Sequence, residues 1–288
     1  MRIIHFTKAE GAQNDFVIVD DREGDIPEEE RRRFAMRSAH RRKGVGSDGT
    51  IFIDTSETHD FHMSFYNPDG SIGSMCGNGG RCAALFAVQN GIAGHDMRFT
   101  VLNHGYHAQV EGNTVRLTFP QPLEIRSALS LECEDEYCTV DYIDTGAPHV
   151  VLFASQLPPS LRAPLAMVDM HRVGMLLRYH PAFAPRGTNV NVLEKEADDV
   201  IAIRTFEKGV EGETEACGTG ALAGGMIAHL RLGVPPPITL RTHGGDELRV
   251  HFTLGDITKT TPEYDISELI LEGPARLVFD GCFFLPDA

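Results

Sequence analysis

Two short stretches concentrate the residues that could do chemistry: "SMCGNGGRCAALFA" at 74–87 and "EACGTGALAGGMIA" at 215–228. Each sets a cysteine, Cys76 or Cys217, directly before the glycine-rich start of an apolar, helix-like run. A helix start leaves four backbone N–H groups without intrahelical partners and carries about half a positive charge. Glycines let an anionic ligand approach that backbone with no Cβ in the way. Gly77, Asn78, Gly79 and Gly80, and again Gly218, Thr219 and Gly220, are thus suited to cradle a carboxylate. A thiol at such a place has its anion stabilised, which draws its pKa from about 8.5 toward neutrality.

Taken singly, either cysteine reads as a small buried hydrophobe. The repetition changes that reading. With 29 glycines in 288 residues, a given cysteine opens Cys-Gly-x-Gly roughly once in a hundred. Two occurrences among six cysteines, half a chain apart, point to a duplicated unit. Two equivalent thiols facing one anionic substrate suit the inversion of a stereocentre. One thiolate removes a proton from one face, the other thiol returns one to the opposite face, and turnover exchanges their roles. Cys82, Cys133, Cys138 and Cys282 read as structural or incidental. No C-x-x-C pair suggests a zinc ribbon or a thioredoxin-like motif.

The elements that must position these groups follow from periodicity and turn signals. Strands are expected at 3–8, 15–20, 50–54 and 61–67, and a helix at 26–40 with Pro27 near its first position. "NPDGS" at 67–71 is a turn before the first cysteine motif, whose helix ends near Asn90-Gly91. Short strands follow near 97–102, 105–111 and 114–119. After Pro120 and Pro122 a similar order resumes: strands near 138–143 and 149–153, a helix around 169–179, then strands at 189–194 and 200–207. The second cysteine motif opens a helix closed by Gly233 as C-cap. Strands near 238–242, 247–253, 267–272 and 275–284 end the chain. The fold expected is α/β of the α+β type, two pseudo-symmetric domains, each a mostly antiparallel sheet around a central helix. "GVGSDG" at 44–49 fits the dinucleotide fingerprint but opens into a strand instead of a helix, so it reads as a plain turn.

The formal charge of −15 disfavours nucleic acid and anionic lipid as partners. Basic residues cluster in "EEERRRFAMRSAHRRK" at 28–43, but acids precede them at helical spacing, as on a solvated helix face. No apolar run approaches the roughly 20 residues that span a bilayer, and the start lacks the apolar stretch of a secretory signal. A cytoplasmic protein with thiols, not disulfides, is expected.

The motifs "FTKAEGAQNDFVIVD", "GVGSDG", "FYNPDGSIGSMCGNGGRCAA", "TGAPHVV", "GTNVN" and "FEKGVEGETEACGTGA", in that order, resemble those of the diaminopimelate epimerase family. The resemblance implies the pyridoxal-independent racemase fold, with the active site in an inter-domain cleft and the last strand returning to the first domain. Domains would comprise 1–119 plus 273–288, and 120–272. It implies interconversion of LL- and meso-diaminopimelate for lysine and cell-wall precursor synthesis, with no cofactor and no metal, by a homodimer. Carried onto this chain, Cys76 and Cys217 are the acid/base pair, and His149 and Glu207 tune their thiols. Asn14, Asn67, Asn189, Glu207 and Lys208 stand at substrate-binding positions. Gly77 and Asn78, with Gly218 and Thr219, cradle the reacting carboxylate. Outside the motif, His149 would read as a strand-end histidine and Glu207 as a surface carboxylate.

The chain departs from the family pattern at Ala9-Glu10-Gly11, where Met-His-Gly is common, at Ala147, where an Asn is common, and at Lys208, where Arg is usual. Lysine keeps the charge but loses the bidentate fork for a carboxylate. Three other readings fit the same motifs. A racemase of this fold could act on another amino acid, such as histidine. A cysteine hydrolase could pair one cysteine with His149. A non-catalytic protein could bind an amino acid without exchanging its α-proton.

Overall fold

The computed structural model describes residues 1–254 and 266–287. The chain divides into two compact units, Met1–Thr118 with Glu272–Ala288, and Phe119–Leu271.

The first unit starts with a hairpin. β1 (Arg2–Gly11) and β2 (Asn14–Asp20) pair antiparallel, Gly11 opposite Asn14. Ala12 and Gln13 between them both sit in the left-handed region, φ 55° and 62°, as a two-residue turn matched to strand twist requires. β17 (Arg276–Leu285) lies antiparallel to the other side of β1, from Arg2 opposite Leu285 to Glu10 opposite Arg276. α1 (Glu28–Ala39) follows β2, with three glutamates in its first turn, where the helix dipole favours them. β3 (Gly49–Asp54) is parallel to β2, and β4 (Phe61–Tyr66) is antiparallel to β3. α2 (Gly77–Gln89) leads to β5 (Asp96–Val101), which is parallel to β4. β6 (His104–Glu111) and β7 (Thr114–Thr118) complete an antiparallel meander. α2 is buried at every position from Gly77 to Ala87, so it is a central helix of small residues, not an amphipathic surface one.

The second unit repeats this programme. β8 (Glu124–Cys133) and β9 (Glu136–Asp144) form an antiparallel hairpin, and β10 (Pro148–Phe153) is antiparallel to β9. α3 (Met170–Arg178) precedes β11 (Asn189–Lys195), parallel to β10. β12 (Val200–Glu207) is antiparallel to β11 and carries the short β13 (Gly212–Thr214). α4 (Gly218–Leu232) leads to β14 (Ile238–Arg241), parallel to β12, and β15 (Glu247–Leu254) is antiparallel to β14. β16 (Ile266–Pro274) takes the chain on toward β17. The order parallel, antiparallel, parallel, antiparallel from β2 to β6 recurs from β10 to β15. In both units the glycine-started helix follows the third of the corresponding strands. Each sheet is mostly antiparallel around a buried helix, as expected. α4 ends at Gly233 in the left-handed conformation, φ 68°.

Three features depart from the sequence expectation. β8 and β13 were not anticipated. β8 bulges between Arg126 and Leu129, with Ala128 at φ 53°, which breaks the alternation that announces a strand. On α1, Arg31 does not lie on a solvated face. It turns inward to ion-pair with Asp21 and Asp54, while Arg32 keeps the exposed i, i+4 pair with Glu28. No helix among the described residues is long and apolar enough to cross a membrane.

Candidate active site

Cys76 and Cys217 are the N-cap residues of α2 and α4, in extended backbone conformation at φ −103° and −124°. The Gly80 N–H donates to the Cys76 carbonyl, and the Ala221 N–H to the Cys217 carbonyl, each at 2.8 Å, closing the first helical turn alike. The second glycine of each motif faces packed neighbours, closely at Gly79 and without room for a side chain at Gly220. A Cβ on Gly79 would meet Ile51 at 3.3 Å and Phe16 at 3.4 Å; one on Gly220 would meet Asn191 Oδ1 at 2.5 Å. Gly80 is less strictly confined, since a Cβ there would meet Met75 Cε at 2.4 Å, the movable end of a flexible side chain, and Leu117 Cδ2 at 3.0 Å. Gly77-Asn78 in one unit and Gly218-Thr219 in the other stand at the helix starts, the positions expected to cradle a carboxylate.

Around Cys76, the Gly79 N–H donates to the sulfur at 3.4 Å, and Asn14 Oδ1 lies 3.8 Å from it. Asn14 is held by its own side chain, Nδ2 donating to Asp48 Oδ2 at 2.7 Å, and by Asn78 Nδ2 donating to its Oδ1 at 3.4 Å. Asp48 belongs to the 44–49 turn and is gripped with Asp15 by Arg41. Lys8 donates to Asp15 at 2.6 Å and to the Gly46 carbonyl. Burial alone would raise the Asp15 pKa, but its bonds to Arg41 and Lys8 hold it at about 2. Arg81, wholly buried one turn into α2, donates to Asn78 Oδ1 at 3.0 Å and to the Gly77 and Pro274 carbonyls. Asn67 sits in the 67–71 turn, its Nδ2 donating to Ser71 Oγ at 3.0 Å.

Around Cys217, the sulfur lies 3.5 Å from Thr219 Oγ1, and Thr219 Oγ1 is 3.0 Å from His149 Nε2. His149 is fully buried on β10, and burial pushes its pKa down to about 3, so the ring is neutral. Asn191 Nδ2 lies 3.1 Å from the other ring nitrogen. Asn189, two residues earlier on the same face of β11, donates to the Pro148 carbonyl and accepts from the Lys208 N–H at 2.8 Å. Glu207 accepts from Thr214 Oγ1 at 3.0 Å, so β13 fixes its carboxylate. Burial and the nearby guanidinium groups of Arg178 and Arg186 lower the Lys208 pKa.

Within the first unit, then, Cys76, Asn14, Asn78 and Gly77 form one bonded group, with Asn67 in a separate turn. In the second, Cys217, Thr219 and His149 form one chain, with Asn189, Glu207 and Lys208 along the adjoining strand ends. Sequence reasoning missed Asp48, which holds Asn14, Arg41 and Lys8, which grip the Asp15 and Asp48 carboxylates beside it, and Arg81, Asn191 and Thr205, whose hydroxyl donates to Asn191 Oδ1 at 2.9 Å. Asp48 lay inside the motif set aside as a turn. Asn191 was visible as the second polar residue on one face of an otherwise apolar strand.

A family profile described as Diaminopimelate epimerase matches residues 6–117. The diaminopimelate epimerase of Chlorobaculum tepidum is 38% identical over 282 residues, spanning 96% of this chain and 99% of that one. The chain belongs to the diaminopimelate epimerase family. Two solved structures extend the likeness to the fold. The phenazine biosynthesis protein of the PhzF family from Bacillus anthracis superposes with a TM-score of 0.73 at 16% identity, over 99% of this chain and 100% of that one. A hydroxyproline epimerase from Agrobacterium vitis, with bound trans-4-hydroxy-L-proline, has a TM-score of 0.72 at 15% identity, over 99% and 94%.

Proposed function

We propose that this isomerase epimerises LL-diaminopimelate to meso-diaminopimelate without a cofactor, Cys76 and Cys217 acting as base and acid. One observation carries the assignment: two cysteines cap glycine-started, buried helices at equivalent places in a repeated strand order. The α-proton of an amino acid is weakly acidic, and its removal throws charge onto the α-carboxylate. Helix-start N–H groups at Gly77-Asn78 and Gly218-Thr219 meet that charge in the manner of an oxyanion hole. The thiolate takes the proton from one face of the α-carbon and the opposing thiol delivers another to the other face. Because the pair shares one proton inventory, its two thiols titrate together. Asn14, Asn67, Asn189, Glu207 and Lys208 bind and orient the polar groups of the substrate. The same reading makes the protein a cytoplasmic homodimer serving lysine and peptidoglycan precursor synthesis.

The test follows solvent deuterium into Cα of LL- and meso-diaminopimelate for Cys76→Ser and Cys217→Ser. Each substitution is expected to slow epimerisation by about 10²-fold or more, the scale of losing one positioned acid or base. Full epimerase activity after either change ends the two-base assignment. Racemisation of histidine in preference to diaminopimelate would instead transfer it to another substrate. A covalent adduct with loss through one cysteine alone would mark a hydrolase.

A further inference from the structure

The amide of Asn191 can face only one way. Its Nδ2 lies 2.9 Å from the Val150 carbonyl, which only accepts, and its Oδ1 lies 2.9 Å from Thr205 Oγ1, whose hydroxyl donates to it. Flipping the amide would set two oxygens against each other in a site where Asn191 is fully buried and Thr205 nearly so. The second Nδ2 hydrogen therefore points at His149 Nδ1, 3.1 Å away, and that nitrogen must accept. A neutral imidazole with a bare Nδ1 carries its proton on Nε2. Nε2 then donates to Thr219 Oγ1, and the Thr219 hydroxyl hydrogen is left to donate to Cys217 Sγ.

Resting on the acid/base reading of Cys217, we infer that Asn191 is a positioning residue: it locks the His149 tautomer and thereby aims the Thr219 hydroxyl at the Cys217 sulfur, favouring its thiolate. The opposite tautomer would reverse every bond outward from Asn191. Nε2 would accept from Thr219, and Thr219 would turn lone pairs, not a hydrogen, toward the sulfur. His149 thus acts through Thr219 and takes no proton from Cys217. Its hydrogen-bonding side chains among the described residues, Asn191 and Thr219, are both uncharged. The absence of a side chain at Gly220 belongs to the same device, because a Cβ there would meet both Asn191 Oδ1 and Thr205 Oγ1.

The first measurement needs no variant. ¹⁵N-histidine spectra of the whole protein, with the His149 resonances identified by their loss in His149→Gln, report the tautomer. A neutral ring protonated at Nε2 is expected at pH 7; protonation at Nδ1 overturns the inference. The second reads Cys217 alone, as the pH midpoint of its alkylation followed by peptide mass. Asn191→Asp offers the ring an acceptor, so it should move the ring proton to Nδ1 and raise the midpoint by about one unit, tenfold less thiolate at a given lower pH. Thr219→Val should raise it similarly, Thr219→Ser should restore it, and Asn191→Asp should add nothing in the Thr219→Val background. A further rise in that background would mean that the new carboxylate acts through space and not along the chain, and overturns the relay. Should Asn191→Asp not fold, the wild-type spectrum and the Thr219 pair still decide. Neither readout uses turnover, so a failed two-base assignment would show separately, as full epimerase activity surviving in Cys217→Ser.

Discussion

Cys76 and Cys217 leave identical backbone positions yet meet different partners, so the two thiols are not chemically equal. Cys76 has an amide oxygen, Asn14 Oδ1, and a backbone N–H; Cys217 has the Thr219 hydroxyl backed by a buried imidazole. Replacing Asn14 by Asp puts a carboxylate about where the amide oxygen lies, and like charge disfavours a thiolate. Asn14→Asp is expected to raise the Cys76 alkylation midpoint by about one unit or more, and to move that of Cys217 only through the coupling between the two thiols. Peptide-resolved alkylation across pH checks both. Burial of His149 also has a stability consequence. Unfolded, the ring takes up a proton near 6.5; folded, only near 3. Between those values the unfolded chain binds more protons. The contribution is therefore complete above 6.5 and drains away as pH falls, at about 1.4 kcal/mol per unit. Asp15, held at about 2, adds a second loss confined to the range below its ordinary 3.8. Urea midpoints at pH 7 and 5 should show wild type losing about 2 kcal/mol more than His149→Gln over that interval. Equal losses would mean that the imidazole is accessible to protons in the folded state.

At the level of elements, the helix starts are defined by what their glycines exclude. A methyl group on Gly220 would overlap Asn191 Oδ1, and one on Gly174 of α3 would lie 2.2 Å from the Phe206 ring. Gly220→Ala and Gly174→Ala are each expected to cost about 1–3 kcal/mol by overpacking, measured as a lowered urea midpoint at unchanged slope. Only Gly220→Ala should also disturb Cys217, since only its neighbours lead to that sulfur. The glycine-started apolar runs of α2 and α4 and the alternation in β4 made these elements legible in the sequence, and Gly233 marked the end of α4. β8 was illegible because its bulge at Ala128 interrupts the pattern, and β13 because three residues carry no period. Within the candidate site, the capping cysteines announced themselves through repetition. The groups that hold them did not. Asp48 was hidden in a turn, and Arg81 in a helix start whose composition suggested only small residues. Long-range partners leave no local spacing, so an arginine that packs fully buried against Pro274 has no signature near residue 81.

For the whole molecule, the repeat explains why a chain of this length carries two buried glycine-started helices. The two units differ in how the chain supplies them. The second is one continuous stretch, Phe119–Leu271, whereas the first needs Glu272–Ala288 to return after it. β17 pairs with β1 along nearly its whole length, and its Leu285 is buried among Ile4, Phe6 and Phe34, with Phe283 edge-on to Phe34 at 5.4 Å. No candidate site residue lies in β17, so its contribution is structural. It covers the outer edge of β1, and β1 in turn carries the Ala12-Gln13 hairpin that presents Asn14. Deleting residues 276–288 would therefore strip β1 of an entire antiparallel partner and open the Phe34 core. The truncated chain is expected to lose epimerase activity and the unfolding transition of the first unit, while a cooperative transition from residues 119–271 remains in calorimetry. Leu285→Ala tests the same contact mildly. It should cost about 2–4 kcal/mol through the cavity it leaves, yet keep turnover near wild type at temperatures well below its transition. A truncated chain that melts and turns over like the full one would show that β1 and Asn14 are held without β17, and that the discontinuous build of the first unit does not support its site.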